Sequence, residues 1–484
     1  MSLALIGWRD LFIPAVRFLD TWVLVMLAIY CLNYLFQMVT AYLELLRVSR
    51  ESQTATPWWL LTGKVSFPIS LLVPAYNEEK TIVESVRSLL ALHYPDFEVI
   101  VVNDGSKDHT MNVLIQAFEL ERVQRVYPHS APCKRIHAIC TSKRHPNLTV
   151  VDKENGGKSD ALNAALNLSR NPLVCMVDAD SMLEPDSLLR MVRPFVLEPE
   201  RMVAVGGKIR IANGCEVRGG QVLTARIPKA FLPLMQTVEY IRAFQMARLS
   251  WSRVQSVVIL SGAFCLYRRA PTLRVGGLSH GTVGEDMELT VKLHRYFKEN
   301  RIPYRVRYLP DPVCWTEAPS TWKILKSQRT RWARGMLEVL HKHRDMIFSP
   351  RYGLPGVLGL GYFFLFDAIG PLVEFLGYII IPLCWAFGIL NTPFLLAYLG
   401  MLFVFGFFVS VGCLFLEEVT SKEQSPPKDL LILTLCAVVE NFGYRQLNSF
   451  WRIRALYQFL RKKQGWGTMV RTGFQKTASP QKAG

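Results

Sequence analysis

Thr21 to Tyr42 contains no charged side chain, and neither does Phe375 to Leu416. A helix rises about 1.5 Å per residue, so roughly 20 apolar residues suffice to cross a hydrocarbon core of about 30 Å. The first run therefore predicts one membrane span. The second is interrupted only by Asn391-Thr392-Pro393 and predicts two spans joined by a tight turn. These runs fix what the remaining residues can do, because everything between Tyr42 and Phe375 must sit on one side of a bilayer or line it.

Composition agrees. The chain of 484 residues is 50% hydrophobic and only 20% charged, with a mean hydropathy of +0.18. Aromatic residues reach 11% and no strict repeat is visible, which excludes disorder, collagen and coiled coil. Lys and Arg number 56 against 39 Asp and Glu, a formal net charge of +17. On a membrane protein this excess fits anionic lipid and a polyanionic substrate such as a nucleotide diphosphate better than nucleic acid. The ten cysteines are scattered without a CxxC pair, so neither a disulfide framework nor a zinc site is expected.

Residues 1–20 carry Arg9, Asp10, Arg17 and Asp20 and read as an interfacial segment; a cleaved signal peptide fits poorly, since no basic n-region or small-residue cleavage site appears. The expected organisation is then a transmembrane helix over 21–46, a soluble domain over 47–345, membrane or interfacial helices over 346–450, and a tail over 451–484. Within 346–450, Leu354–Pro371 with Asp367, and Leu430–Phe450 with Glu440 and Arg445, can either span or lie along the interface. Trp451 to Lys463 reads as a basic amphipathic helix on the cytoplasmic leaflet.

The soluble region alternates. Ile69–Val73, Phe97–Val102 and Leu173–Val177 read as strands, with helices at Thr81–Leu92 and Ser159–Leu168 between them. That order predicts an α/β fold with a mostly parallel sheet, in which ligands gather at the carboxyl ends of strands. The loops to watch are Tyr76-Asn77-Glu78, Asn103-Asp104-Gly105 and Asp178-Ala179-Asp180. Asp178 and Asp180 can converge on one hard cation, or be solvated loop acids. Asp104 can bond a base or ribose, or merely make a turn. Glu285 and Asp286 open a helical stretch, where a carboxylate can act as general base or complement the helix dipole. In Gln328-Arg329-Thr330-Arg331-Trp332, Arg331 can clamp a phosphate and Trp332 stack on a sugar, or both can sit at headgroup level.

Val73-Pro74-Ala75-Tyr76-Asn77-Glu78-Glu79 and Asn103-Asp104-Gly105-Ser106 resemble the nucleotide-sugar half of glycosyltransferase family 2. Asn155-Gly156-Gly157-Lys158-Ser159-Asp160-Ala161-Leu162-Asn163, Asp178-Ala179-Asp180, Gly284-Glu285-Asp286 and Gln328-x-x-Arg331-Trp332 follow in that family's order. The last resembles the QxxRW signature of its processive membrane branch, which includes cellulose, chitin, hyaluronan and poly-N-acetylglucosamine synthases. The resemblance covers about residues 66–345. It implies a GT-A-like, nucleotide-sugar-binding cytosolic domain inserted between transmembrane helices.

The resemblance also implies roles. Tyr76, Glu78 and Asp104 would hold the uridine, and Lys158 would lie near the diphosphate. Asp178 and Asp180 would bind the nucleotide and Mg²⁺ or Mn²⁺. Asp286, beside Glu285, would be the general base, and Gln328, Arg331 and Trp332 would line the meeting point of acceptor and diphosphate. Ser261-Gly262-Ala263-Phe264-Cys265 resembles the segment bordering the acceptor, with Cys265 near the growing end. Gly465-Trp466-Gly467-Thr468 resembles the gating loop of hyaluronan and chitin synthases, in which Trp466, Thr468 and a basic residue would close over the nucleotide. Here Met469-Val470 separates that motif from Arg471, a departure that puts Arg471's role in doubt. The cellulose-synthase pattern FxVTxK is absent.

A divalent ion and Arg331 can neutralise the leaving diphosphate, and one base suffices for in-line attack with inversion. The expected enzyme polymerises a UDP-sugar into a β-linked polysaccharide and passes it across the plasma (inner) membrane. Its partners are the donor, the growing chain and the bilayer, with accessory export subunits as a further class. The competing readings are a transferase adding one sugar to a membrane lipid and a silent scaffold. Asn155-Gly156-Gly157-Lys158 leans toward the poly-N-acetylglucosamine and chitin group. If the catalytic domain and the Trp466 loop share the cytosolic side, an even number of crossings separates them; four is the favoured number, with Leu354–Pro371 and Leu430–Phe450 both spanning.

Overall fold

The structure is a computed structural model that describes residues 2–54, 67–218, 220–420 and 426–462. Trp466, Thr468 and Arg471 lie outside the described residues. In chain order the strands are β1 (Ile69–Ala75), β2 (Phe97–Asp104), β3 (Leu120–Val123), β4 (Ile136–Ser142), β5 (Leu148–Lys153) and β6 (Leu173–Val177). They continue as β7 (Met182–Leu183), β8 (Met202–Ile211), β9 (Glu216–Arg218), β10 (Gln221–Thr224), β11 (Phe264–Arg268) and β12 (Arg305–Thr316). Strands β9 and β10 form a separate hairpin; the others make one sheet in the order β3-β4-β5-β2-β1-β6-β11-β8-β12-β7. Its middle, β5-β2-β1-β6, is parallel, and antiparallel strands join it on both sides. This is the α/β, GT-A-like architecture expected from the alternation.

The strands read as unbroken apolar runs because both faces are covered. Leu71, Val73, Val99, Val101 and Cys175 enter one core with α2 (Ile82–Leu90) and α4 (Ser187–Leu197). Leu72, Ile100, Val102, Val174 and Met176 enter a second core with α3 (Lys158–Leu168) and α6 (Glu285–Glu299). Strand register then decides which loops meet. Ala75 pairs with Asn103 and Asp104 with Lys153, so the loops after β1, β2 and β5 emerge side by side.

The N-terminal helix α1 (Ser2–Thr54) runs unbroken from Ser2 past Asp20, with no separate interfacial segment among the described residues, although Asp20–Glu51 alone is apolar enough to cross a membrane. Leu24, Leu32 and Leu35 are exposed on it, as lipid-facing residues would be. Its far end is locked to the sheet: the fully buried Arg307 of β12 pairs with Glu44 at 3.3 Å and Glu51 at 3.0 Å.

After the domain come α7 (Trp322–Lys342), α8 (Gly370–Ala386), α9 (Thr392–Thr420), α10 (Pro427–Val439) and α11 (Tyr444–Leu460). Two expectations change here. Leu354–Pro371 is not a span of its own but the first half of a single run, Pro355–Ala386, that is long and apolar enough to cross once. Pro371 does not end that run because a π-helical stretch, Phe363–Ile369, precedes it and the proline falls in the first turn of α8. Leu430–Phe450 is broken: α10 and α11 are bent by 56°, with Gly443 at φ 91° in the break. Glu440 at that break is fully buried and paired with Arg242 and Arg445, and Ser410 donates to it at 3.0 Å. The amphipathic stretch from Trp451 continues α11 and packs on α7, with Trp451 and Trp322 rings 6.3 Å apart.

Candidate active site

Lys158, Asp178, Glu285 and Asp286 are each presented by a strand end or a helix start. Asp178 follows β6, and Lys158 is the first residue of α3, whose cap Gly157 has φ 91°. Lys158 Nζ lies 2.6 Å from Asp178 Oδ1 and 3.3 Å from Glu285 Oε1. Glu285 and Asp286 open α6, and Asp286 Oδ2 accepts the backbone N–H of Gly262 at 3.1 Å. A Cβ on Gly262 would lie 3.2 Å from Lys158 Nζ and 3.4 Å from Asp286 Cβ, so a side chain there would crowd both.

The charges are unevenly matched. Burial drives the Glu285 carboxyl up, Lys158 draws it down and Asp286 pushes it up again, leaving it at about 7. Burial lowers the Lys158 ammonium, but Asp178, Glu285 and Asp286 outweigh it and the group is held above its ordinary value. One lysine thus serves three carboxylates, with Asp180 near the end of the same loop.

On α7, Gln328, Arg331 and Trp332 face the same space. Trp332 is 45% exposed there, while the neighbouring Arg329 is buried. Arg329 sits 4.4 Å over the Trp332 ring, pairs with Glu239 at 2.8 Å and donates to Gln328 Oε1 at 3.2 Å. Tyr444 of α11 donates to the same Glu239 at 2.9 Å. Sequence reasoning passed over Arg329, although it lies inside the Gln328–Trp332 spacing. Lys158, Asp178, Asp180, Glu285, Asp286, Gln328, Arg331 and Trp332 all line one cavity of about 1520 Å³.

Tyr76, Glu78, Asp104 and Cys265 do not line it. Tyr76 is exposed, in a loop tied to the next by Asn77 N–H donating to Ser106 Oγ at 3.0 Å. Glu78 accepts from Thr81 Oγ1 at 2.8 Å. The Asp104 carboxylate, expected against the uridine, turns inward: Lys153 lies 2.6 Å away, and the N–H groups of Gly156 and Gly157 donate at 3.0 and 2.7 Å. As placed, Asp104 shapes the glycine turn before Lys158. Lys153 is fully buried between Asp104 and Asp160, each at 2.6 Å, a pairing that only strand register could reveal. Cys265, expected near the growing end, is fully buried in β11 and turned into the second core; burial pushes its thiol well up. Gly262 and Ala263 of the same segment reach the cavity instead.

Residues 70–274 match Glycosyl transferase family 2, and residues 173–409 match Glycosyl transferase family group 2. Poly-beta-1,6-N-acetyl-D-glucosamine synthase of Staphylococcus epidermidis is 29% identical over 273 residues, 56% of this chain and 55% of that protein. The probable glycosyltransferase YdaM of Bacillus subtilis is 29% identical over 295 residues, 60% of this chain and 61% of that protein. The chain thus spans little more than half the length of these relatives. A mannosyltransferase from Pyrobaculum calidifontis, solved with GDP-Man and Mn²⁺, superposes with a TM-score of 0.48 at 19% identity, covering 92% of this chain and all of that one.

Proposed function

We infer, for a chain that belongs to glycosyltransferase family 2, that it is an inverting, metal-dependent polymerase of a UDP-sugar whose β-linked product leaves through its own membrane helices. The observation that carries this reading is the reach of one cavity. It extends from Asp178, Asp286 and Trp332 past Tyr362 and Arg445 to Trp22, Tyr398 and Leu402 on the membrane-spanning helices. A transferase that adds one sugar to a lipid needs an acceptor site at the membrane surface; a space lined from the site onto these helices suits a product longer than one unit. The poly-N-acetylglucosamine relatives suggest UDP-N-acetylglucosamine as donor.

The residues supply a mechanism. Tyr76 and Glu78 would hold the nucleoside, as the family resemblance implies, and Lys158, on the cavity wall, meets the diphosphate. Asp286, fixed by Gly262, takes the proton from the acceptor hydroxyl as it attacks the anomeric carbon. Arg331 offers a cation to the departing diphosphate, where charge develops. Trp332, held by Arg329, presents a flat face to the acceptor sugar. A single displacement inverts the anomeric centre, so an α-linked donor gives a β-linked product.

Among the described residues no three potential ligands converge on one point. Mg²⁺ and Mn²⁺ bound with substrate phosphates need only one or two carboxylates. The surplus of acid around Lys158 fits such an ion, and Asp178 and Asp180 are the residues that would hold it. When bound, it would neutralise the leaving diphosphate.

The test is UDP release by detergent-purified protein across a panel of UDP-sugars with Mn²⁺ or Mg²⁺, the product being sized on a gel. High-molecular-weight product from one donor, with Asp286→Asn slower by at least about 10²-fold, is the expected outcome. A single-sugar lipid product would replace the polymerase reading, and release unaffected by Asp286→Asn would remove Asp286 as base.

A further inference from the structure

Glu374 lies on α8 within the Pro355–Ala386 span, half-buried on the wall of the cavity. Ionisable groups in a span are costly and rare without a use. Three other acids of these helices have cations: Glu440 has Arg242 and Arg445, Asp367 has Arg452, and Glu417 has Lys208 and Arg210. Among the described residues no cation pairs with Glu374. Its oxygens accept instead from two hydroxyls, Tyr378 Oη on Oε1 and Ser449 Oγ on Oε2, each at 2.5 Å.

A carboxylate offers about four acceptor positions. Two protein hydroxyls therefore orient Glu374 and leave it able to accept more from whatever fills the cavity. The surroundings narrow the ligand. Tyr378 stacks on Phe450 with ring centres 5.8 Å apart and planes 18° from parallel, and Tyr398 of α9 lines the same stretch. Aromatic faces beside an acceptor-rich carboxylate suit a molecule with apolar ring faces and a rim of hydroxyl donors, which describes a saccharide. A metal cation would need several oxygen ligands, and among the described residues no group of three His, Cys, Asp or Glu side chains gathers here.

We propose that Glu374, with Tyr378, Ser449 and Tyr398, is a saccharide-binding station in the membrane that holds the leaving glycan by its hydroxyl groups. The proposal rests on the translocation reading above. Its role is to favour retention of the chain between additions, so that product length depends on it.

The test uses the full chain in proteoliposomes, with UDP-N-acetylglucosamine and Mn²⁺ added outside. Product length is read on a gel, and protection is read as the fraction surviving a glycan-degrading hydrolase added outside. Glu374→Gln keeps the shape but removes the charge; Leu383→Ala, at an exposed site on the same helix that does not line the cavity, controls for helix damage. The expected result is wild-type product that is long and protected, with chains at least about threefold shorter in Glu374→Gln, as loss of a charge-assisted hydrogen bond implies, and unchanged in Leu383→Ala. Protected product of unchanged length in Glu374→Gln would overturn the station while leaving translocation standing. Equal shortening in Leu383→Ala would overturn it as general helix damage. Polymer fully degraded in the wild type would overturn translocation, and the station with it.

Discussion

Glu285 holds a proton at a pH where an ordinary carboxyl has lost it, because burial and Asp286 together outweigh the pull of Lys158. The sign of the consequence is fixed. The folded chain keeps a proton that the unfolded chain releases, so stability from this site falls as pH rises from about 4.5 to about 7 and is level beyond. Activity should move the other way, since a protonated Glu285 leaves the cluster with less negative charge to hold Lys158 and a cation. Measured between about pH 5 and 9, kcat/KM for UDP release should rise to a bend near pH 7. Glu285→Gln should abolish that bend; a bend that persists there would assign it to another group. At this scale Asp178, Asp286, Arg331 and Trp332 were legible in the sequence because their spacing is a linear pattern. Asp104 was not, since its partner Lys153 is 49 residues away and reaches it only through the β2–β5 register.

The junction of α6 and α7 joins the two halves of the proposed chemistry, Asp286 on one helix and Arg331 on the other. Their backbones touch at Gly284 and Gly335: a Cβ on Gly335 would lie 2.7 Å from Gly284 N. The far side is clamped by the fully buried Glu288, with Lys342 Nζ at 2.6 Å and His343 Nε2 at 3.5 Å. Burial raises the Glu288 carboxyl, but His343, Lys292 and Lys342 outweigh it and bring it to about 2. A methyl at 335 therefore cannot be absorbed by a flexible side chain, and the helices must part. Gly335→Ala should lower kcat/KM by about 10²-fold, the effect of misplacing reacting groups by about 1 Å, while destabilising by only about 1–3 kcal/mol. Parallel kinetics and thermal melts in detergent would show it; near wild-type kinetics would mean that the junction does not set the geometry. Gly335 does not stand out by spacing, and Gly284 does so only beside Glu285 and Asp286, whereas β1, β2 and β6 were legible as apolar runs. The end of the Leu354–Pro371 segment was not legible, because a π-helical stretch carries the run through Pro371.

Across the whole molecule, charge at the span ends indicates which side is which. Arg47 and Arg50 stand at the domain end of α1, Arg344 and Arg351 precede Pro355, and Lys428 opens α10, while the 387–391 turn between α8 and α9 carries no charge. Positive residues favour the cytoplasmic side, which predicts the catalytic domain inside and the turn outside. Pro355–Ala386 and Thr392–Thr420 then make two crossings, and α10 begins on the inner side again. The bent pair decides the rest, since it is either a broken span or a re-entrant loop. Glu440 is buried at the bend with Arg242 and Arg445, and α11 packs back on α7, which suits a re-entrant pair and a prediction of two crossings between the domain and the tail. A C-terminal epitope tag should accordingly be digested in inside-out vesicles and spared in intact cells, and a cysteine at Asn391 should react with an impermeant maleimide only in intact cells. A tag accessible from the same side as Asn391 would make the bent pair a true span and separate the tail from Asp286 and Arg331 by a membrane.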